Sequence, residues 1–315
     1  MDNFIFSLNV VAPLFVLMAF GYLARLFKLV TISFLAEANK FVFRLSLPFM
    51  LFQNIRNTFN GEFSNTRLII VSIIGVLIVI LASLILVPLF VKSRPQRGSI
   101  IQGIYRSNFL IYGMPLATGM HGLEAMGPIS VLMGSTIPVF NIAAVIILTI
   151  YSEDKRQKIS TRNIFIDIIK NPLIIGCVLG MVFGTLQIQF PAFIDKPMNE
   201  LALIATPLAL FVIGGDFKFR NLKNNIWKVL ITSLARLVIV PSIALFIFVE
   251  MGFRGIELSA LLCMFATPTA VSSYIMAKNM KNDAELAGQI VVLTTACSCV
   301  TIFFFVYILK TMGYI

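Results

Sequence analysis

The sequence contains few of the side chains from which active sites are built. Among 315 residues there are one histidine, four cysteines and one tryptophan, and 12% of the residues are charged. An ordinary soluble domain is about a quarter charged. Hydrolysis inside a membrane would need a Ser–His pair, paired aspartates or a metal site, and no such pattern occurs. A Gly-rich lysine motif for ATP is also missing. We therefore predict that the chain is not an enzyme and uses neither a cofactor nor a metal.

Apolar residues, in contrast, make up 58% of the chain, which indicates a membrane protein. A helix needs about 20 apolar residues to cross the hydrocarbon core. Breaks at charge clusters divide the sequence into ten such spans and predict an all-α integral membrane protein. The predicted spans are residues 4–24, 34–55, 67–91, 99–121, 126–151, 165–189, 197–217, 226–250, 256–278 and 285–311.

Lysine and arginine are unevenly distributed between the predicted loops. The 25 basic residues exceed the 14 acidic ones, and most lie after odd-numbered spans. The loops and ends on the other side hold only Arg56, Arg67, Lys196, Arg254 and Lys310. Since Lys/Arg-rich loops stay cytoplasmic, we predict that both termini face outside and that loop 152–164 is cytoplasmic. The basic excess then indicates placement in the cell membrane and not a nucleic-acid partner.

Prolines reveal an internal repeat. The spacing from Pro13 to Pro172 equals that from Pro48 to Pro207, and the spacing from Pro88 to Pro241 equals that from Pro115 to Pro268. Because each half has five spans, the halves must lie upside down relative to each other, as in secondary transporters. The predicted units are residues 1–151, loop 152–164 and residues 165–315. The change of spacing separates a block of spans 1, 2, 6 and 7 from a block of spans 3–5 and 8–10.

Pro115 and Pro268 are expected to break their helices. Proline inside a helix removes a hydrogen bond at about 3 kcal/mol or more, and lipid offers no water to replace it. Gly113 precedes Pro115, while Thr267 and Thr269 flank Pro268. We predict that the fourth span breaks at Gly113–Pro115 and crosses the ninth span near Pro268 at the bilayer midplane. The free N–H ends and half-helix dipoles there favour an anion. The remaining six repeat prolines are predicted to bend continuous helices.

The fourth span also carries a recognisable motif. It resembles the fourth span of the auxin efflux carrier family, which includes short bacterial organic-acid permeases, in its pattern Asn108-x-Leu110-x-x-Gly113-x-Pro115-Leu116-x-x-x-Met120-x-Gly122. The ninth span is similar in Pro268, Val271, Tyr274, Ala277, Lys278 and Asp283. Pro13-Leu14 and Asn171-Pro172 fit the first and sixth spans, so the resemblance covers the whole chain.

This resemblance implies a fold and a mechanism. Spans 1, 2, 6 and 7 would form a scaffold block through which two copies can dimerise, and spans 3–5 and 8–10 a transport block with crossed helices. An anionic carboxylate would be moved by an elevator-like motion, with Asn108 contacting the substrate near Pro115 and Pro268. Thr269 and Leu173 stand where plant carriers have glutamine and a polar residue, which argues against auxin itself as the substrate.

Four cations lie inside predicted spans, where charge is costly and often functional. Lys40 and Arg44 are near a span end and are expected to reach the interface. Arg106 lies two residues before Asn108, so on a continuous helix it would face elsewhere; it could attract anions or pair structurally. Arg236 is the deepest and could neutralise a substrate carboxylate or a protein acid. Asn141 is a further candidate for substrate contact, with an interhelical hydrogen bond as the alternative.

The sequence thus predicts a secondary transporter for a small mono- or dicarboxylate such as malate or malonate. The alternatives are an efflux carrier for auxin-like aromatic carboxylates and an anion channel. Coupling to H⁺ or Na⁺ stays open, because no carboxylate lies plainly at mid-membrane. The predicted substrate-binding residues are Asn108, Gly113, Pro115, Thr267, Pro268, Thr269, Asn141 and Arg236.

Overall fold

The computed structural model describes residues 2–58, 65–153, 169–217 and 219–315. Most of loop 152–164 and the first residues of the predicted sixth span lie outside these ranges. The α-helices are α1 Asp2–Leu26, α2 Ile32–Phe41, α3 Leu47–Thr58, α4 Thr66–Phe90, α5 Arg94–Tyr105, α6 Phe109–His121, α7 Met126–Tyr151, α8 Pro172–Thr185, α9 Ala192–Leu203, α10 Ala205–Asp216, α11 Phe219–Leu234, α12 Val240–Glu250, α13 Gly255–Ala266, α14 Ser272–Asn279 and α15 Ala284–Thr311. Across the described residues, extended pairing is limited to a single isolated bridge.

Several helices have the length and composition of membrane spans. Within the described ranges, five are long and apolar enough to cross: Thr66–Phe90, Gly127–Tyr151, Ala192–Asp216, Asn225–Glu250 and Ala284–Thr311. Shorter apolar helices occupy Pro13–Leu26, Pro172–Thr185 and Gly255–Ala266. Large apolar side chains on the outer surface are exposed, as a lipid-facing surface requires. The chain is therefore a multi-pass membrane protein.

Two of the long helices contain a wider turn just before a proline. A π segment at Val42–Ser46 joins α2 to α3, and another at Ala235–Ile239 joins α11 to α12. Pro48 and Pro241 follow these segments, so the residue four before each proline lies inside the wide turn. A proline ring clashes with the carbonyl at that position, and a π turn widens the backbone there. The helices consequently continue past both prolines.

One other proline starts a helix instead of bending one, so the prediction for Pro172 was wrong. Pro172 is the first residue of α8, whose N-cap Asn171 accepts a 2.9 Å hydrogen bond from the Leu173 N–H. Proline is tolerated in a first turn because its missing N–H has no partner there anyway. Pro207, in contrast, lies inside the long helix Ala192–Asp216, where the single residue Ile204, itself in helical conformation, separates α9 from α10.

Glycines allow two helix pairs to approach backbone to backbone. A Cβ on Gly21 of α1 would lie 2.0 Å from the Phe211 carbonyl oxygen, and one on Gly214 of α10 would lie 1.9 Å from that of Met18. In the α3–α8 pair, a Cβ on Gly176 would lie 2.6 Å from the carbonyl oxygen of Pro48. These pairs join predicted spans 1 with 7 and 2 with 6. The close packing supplies the dispersion contacts that hold helices together in lipid.

The fourth and ninth predicted spans are both interrupted, but the first interruption is not where the sequence predicted it. Helix α6 runs unbroken over Phe109–His121, so the expected break at Gly113–Pro115 was wrong. The chain instead leaves the helix between Tyr105 and Phe109. The side chain of Pro115 lies outside the described part of the structure. The second interruption, between Ala266 and Ser272, includes Pro268 as predicted.

Candidate functional site

The two interruptions meet as a short antiparallel crossover. Ser107 and Thr269 form an isolated bridge. On either side of it, the Asn108 N–H donates to the Pro268 carbonyl at 2.7 Å, and the Ala270 N–H donates to the Arg106 carbonyl at 3.1 Å. Each extended segment satisfies backbone groups of the other, which the apolar surroundings demand. Four half-helix ends therefore converge here: the C-termini of α5 and α13 and the N-termini of α6 and α14.

The two C-terminal ends share one cation. The Arg236 side chain is 1% exposed. Its guanidinium donates to the Thr267 carbonyl at 2.9 and 2.7 Å, to Ile104 at 3.2 Å, to Tyr105 at 3.4 Å and to Met264 at 3.3 Å. The last carbonyls of a helix have no partner within it and carry partial negative charge. Arg236 compensates both ends at once, so all of its observed contacts are to the protein backbone.

A cavity of about 50 Å³ adjoins the crossover and is lined by Arg106, Ser107 and Asn108 from its first segment. One wall consists of side chains from α3, α8 and α10, and the other of the crossover, the starts of α6 and α14, and α7. The residues that line it are Leu47, Met50, Leu51, Arg106, Ser107, Asn108, Phe109, Ile111, Ile137, Phe140, Asn141, Leu173, Ala205, Thr206, Ala209, Ala270, Val271 and Ser272. No acidic residue is among those lining this cavity.

Asn108 and Arg106 bring polar groups to the cavity. The Asn108 Nδ2 is buried without a hydrogen-bond partner among the described residues. Arg106 is 4% exposed; its Nη2 donates to the Asn141 Oδ1 at 2.6 Å and its Nη1 contacts the Met276 sulfur. Asn141 in turn donates to the Ile137 carbonyl at 2.9 Å. Within the described structure, the cavity thus has an amide donor without a partner and a cation whose hydrogen-bond partners are neutral.

The predicted site residues fall into three groups. Asn108 and Asn141 line the cavity. Thr267, Pro268, Thr269 and Arg236 build the crossover behind it; Thr269, for example, donates its hydroxyl to the Gly103 carbonyl at 2.7 Å. Gly113 and Pro115 lie on α6, where a Cβ on Gly113 would come within 2.8 Å of the Phe109 ring.

The site also contains residues that the sequence did not assign to it. Arg106 was left between two roles, and Ser107, Thr206 and Ser272 were not singled out, although all four line the cavity. Arg106 and Asn108 share a side because the backbone between them is extended, where residues two apart point the same way. The sequence did contain one indication that Arg106 belongs to the site, because it is an intramembrane charge two residues before the motif residue Asn108.

Comparison with known proteins identifies the family of the chain. The family described as "Membrane transport protein" matches residues 6–306. The chain belongs to this family, which is that of the auxin efflux carriers, and its members are transporters, not enzymes.

Individual relatives match over nearly their full length. An uncharacterized transporter of Methanocaldococcus jannaschii is 24% identical over 302 residues, covering 94% of this chain and 96% of the relative. A protein of Rhizobium meliloti named "Putative malonate transporter" is 23% identical over 313 residues, covering 96% of each chain. An uncharacterized transporter of Methanothermobacter thermautotrophicus is 23% identical, covering 95% of this chain and 97% of the relative.

Proposed function

We propose that the protein is a secondary transporter that moves a small organic anion, a mono- or dicarboxylate, across the cell membrane by alternating access. The observation that carries this proposal is the cavity at the crossover, into which the unpartnered Nδ2 of Asn108 brings a hydrogen-bond donor. A buried donor without a partner costs free energy. A carboxylate oxygen would satisfy it.

The half-helix ends favour an anion over a cation or a neutral solute. The N-termini of α6 and α14 both lie at the cavity, where Phe109 and Ser272 are lining residues. Helix N-termini carry partial positive charge and free N–H groups. The opposite ends, which would repel an anion, are occupied by Arg236. The malonate in the name of one relative supports a carboxylate as the substrate class.

The position of the cavity supports an elevator-type motion between two blocks. One wall belongs to the predicted scaffold, through Leu47, Leu173 and Ala205, and the other to the predicted transport block. Movement of the crossover past the scaffold would carry the bound anion with it. This proposal includes ten spans arranged as a five-plus-five inverted repeat. The glycine contacts of α1 with α10 and α3 with α8 support that symmetry, because the repeat interchanges these two pairs.

Both termini would face outside, and a second copy could pack against the scaffold block. Among the described residues, no acidic one lines the cavity. This favours uniport or exchange over proton coupling through an acid in the site.

A thermal-shift screen of the purified protein against carboxylates tests the site. We expect at least one short carboxylate to raise the Tm of the wild type, and expect Asn108→Ala to lose most of that shift. Asn279→Ala is the matched control, because Asn279 lies outside the cavity lining and its Nδ2 donates to the Ile275 carbonyl of its own helix at 2.8 Å. Equal stabilisation of wild type and Asn108→Ala would remove Asn108 from the site.

Counterflow in proteoliposomes tests the transport mode. Vesicles preloaded with the stabilising carboxylate should accumulate the same radiolabelled compound transiently against its gradient, since a carrier exchanges bound substrates. A channel gives no such overshoot. Absence of counterflow with every carboxylate that binds would contradict the carrier.

A further inference from the structure

Arg106 is a buried cation with no acidic partner in the part of the chain that the structure describes. Among the described residues the two ion pairs are Arg56–Asp195 and Lys278–Asp216, and neither involves Arg106. A charge taken out of water is costly unless it is paired, and intramembrane charges usually pair or face a functional cavity. Arg106 faces the cavity.

Arg106 has fewer hydrogen-bond acceptors around its guanidinium than Arg236 has. Arg236 donates to four different backbone carbonyls. The guanidinium of Arg106 contacts one amide oxygen, on Asn141, and the sulfur of Met276. A thioether is a weak acceptor. The two arginines are similarly buried, but only Arg236 has its donors taken by the backbone.

The polar groups of the cavity are concentrated at one wall. Arg106 and the Asn108 amide belong to the crossover. The lining residues from α3, α8 and α10 are mainly aliphatic, such as Leu47, Leu51 and Leu173, and Thr206 adds a hydroxyl; we call them the aliphatic wall. A ligand with one carboxylate would place it at the crossover and its tail against the aliphatic wall. A second ionised carboxylate turned toward that wall would be buried without a partner, which is strongly unfavourable.

We propose that Arg106 is the counter-ion of a single substrate carboxylate and that the site selects short-chain monocarboxylates. This inference rests on the proposed transport of organic anions. On binding, the carboxylate replaces Asn141 or Met276 as the partner of the guanidinium, in the two-pronged geometry that arginine favours. The Asn108 amide donates to one of its oxygens, and the small cavity limits the tail to a few carbon atoms.

The first test measures binding of propionate, lactate, malonate and the neutral analogue propionamide by thermal shift, with Arg106→Gln and Arg106→Lys. Propionate and lactate should stabilise the wild type at lower concentration than malonate at a pH where malonate is fully ionised, and propionamide should have no effect. Arg106→Gln should weaken monocarboxylate binding by about 30-fold or more. Arg106→Lys, which keeps the charge, should lose less. The control Lys92→Gln changes an exposed cation outside the cavity and should bind normally.

A second variant tests the proposal even if Arg106→Gln does not fold. Asn141→Asp keeps the shape of the side chain but places an acid where the Asn141 Oδ1 now lies, 2.6 Å from Arg106. We expect this internal counter-ion to abolish carboxylate binding while the unliganded protein stays folded, because the new ion pair with Arg106 offsets the lost hydrogen bond to the Ile137 carbonyl. Wild-type-like carboxylate binding by this folded variant would show that Arg106 does not pair with the substrate.

The outcomes separate this inference from the proposed function. If wild type and Arg106→Gln bind monocarboxylates equally, or if Asn141→Asp binds them as the wild type does, Arg106 is not the counter-ion and the transport proposal stands. Tighter binding of fully ionised malonate overturns the selection for monocarboxylates. If the wild type binds none of the carboxylates, both proposals fail.

Discussion

At the scale of single residues, two buried arginines beside one crossover have different partners. Arg236 contacts carbonyls of both interrupted helices, including Thr267 and Ile104, whereas Arg106 faces the cavity. The sequence showed both as intramembrane charges but could not separate their roles. Their roles differ because Arg236 lies beside backbone carbonyls that have no partner within their own helix. The positions of the helix interruptions determine which carbonyls these are.

Replacement of Arg236 should destabilise the fold. Arg236→Met leaves carbonyls at two helix ends without donors, and each such group costs about 1–3 kcal/mol. We expect a loss on the order of 3 kcal/mol or more, with Arg236→Lys in between because its compact ammonium cannot span both ends. Thermal unfolding of the detergent-solubilised protein measures this. Lys92→Met, at an exposed position, serves as the control; a similar Tm for Arg236→Met and wild type would contradict the structural role.

At the scale of helices, the sequence predicted that the fourth and ninth spans would be interrupted but placed the first interruption too late. Proline and glycine are the residues that most often interrupt a helix, and the prediction relied on Gly113 and Pro115. The backbone instead becomes extended at Arg106–Asn108, where pairing with the second segment replaces the lost helical hydrogen bonds. A pairing between residues far apart in sequence leaves no local signal. Gly113 has a packing role beside the Phe109 ring.

Close helix packing at Gly214 can be tested by adding one methyl group. A Cβ there would lie 1.9 Å from the Met18 carbonyl oxygen, so Gly214→Ala must push α1 and α10 apart. Overpacking of this kind costs about 1–3 kcal/mol. Gly127→Ala is the matched control, because a Cβ at that position meets no atom within 4 Å. We expect a clear fall in Tm for the first variant and none for the second; equal Tm values would show that the helices do not pack this closely.

At the scale of the whole molecule, the long apolar runs and the family were accessible from sequence, and the contacts between the two halves were not. Runs of apolar residues predict spans because lipid thickness fixes their length. Nothing comparable marks which side chains meet across the proposed blocks. One such contact links Asp216, at the end of α10, to Lys278 and Tyr274 of α14.

This contact between the proposed blocks should influence the rate of transport more than stability. The side chains of Lys278 and Asp216 are 29% and 23% exposed, and partly exposed pairs contribute about 0–1 kcal/mol. Asp216→Asn should therefore leave Tm nearly unchanged and speed exchange by up to about fivefold, since the observed state loses a stabilising contact. Lys278→Met and the double variant should give the same rate. Additive effects in this double-mutant cycle would show that the two residues act independently.

The charge of Arg106 has an electrical consequence for a moving transport block. With a monoanion bound, the guanidinium and the carboxylate cancel, and the membrane potential exerts no net force on the pair. Without the bound anion, the charge of Arg106 moves through part of the transmembrane electric field. Moving one elementary charge across the full membrane potential is worth about 2.3 kcal/mol per 100 mV. Since Arg236 moves with the same block in both states, the empty carrier differs from the loaded one by one elementary charge. Voltage would then act differently on the return of the empty carrier and on one-for-one exchange, and one side chain beside the crossover would make the ratio of net flux to exchange depend on the energised state of the cell.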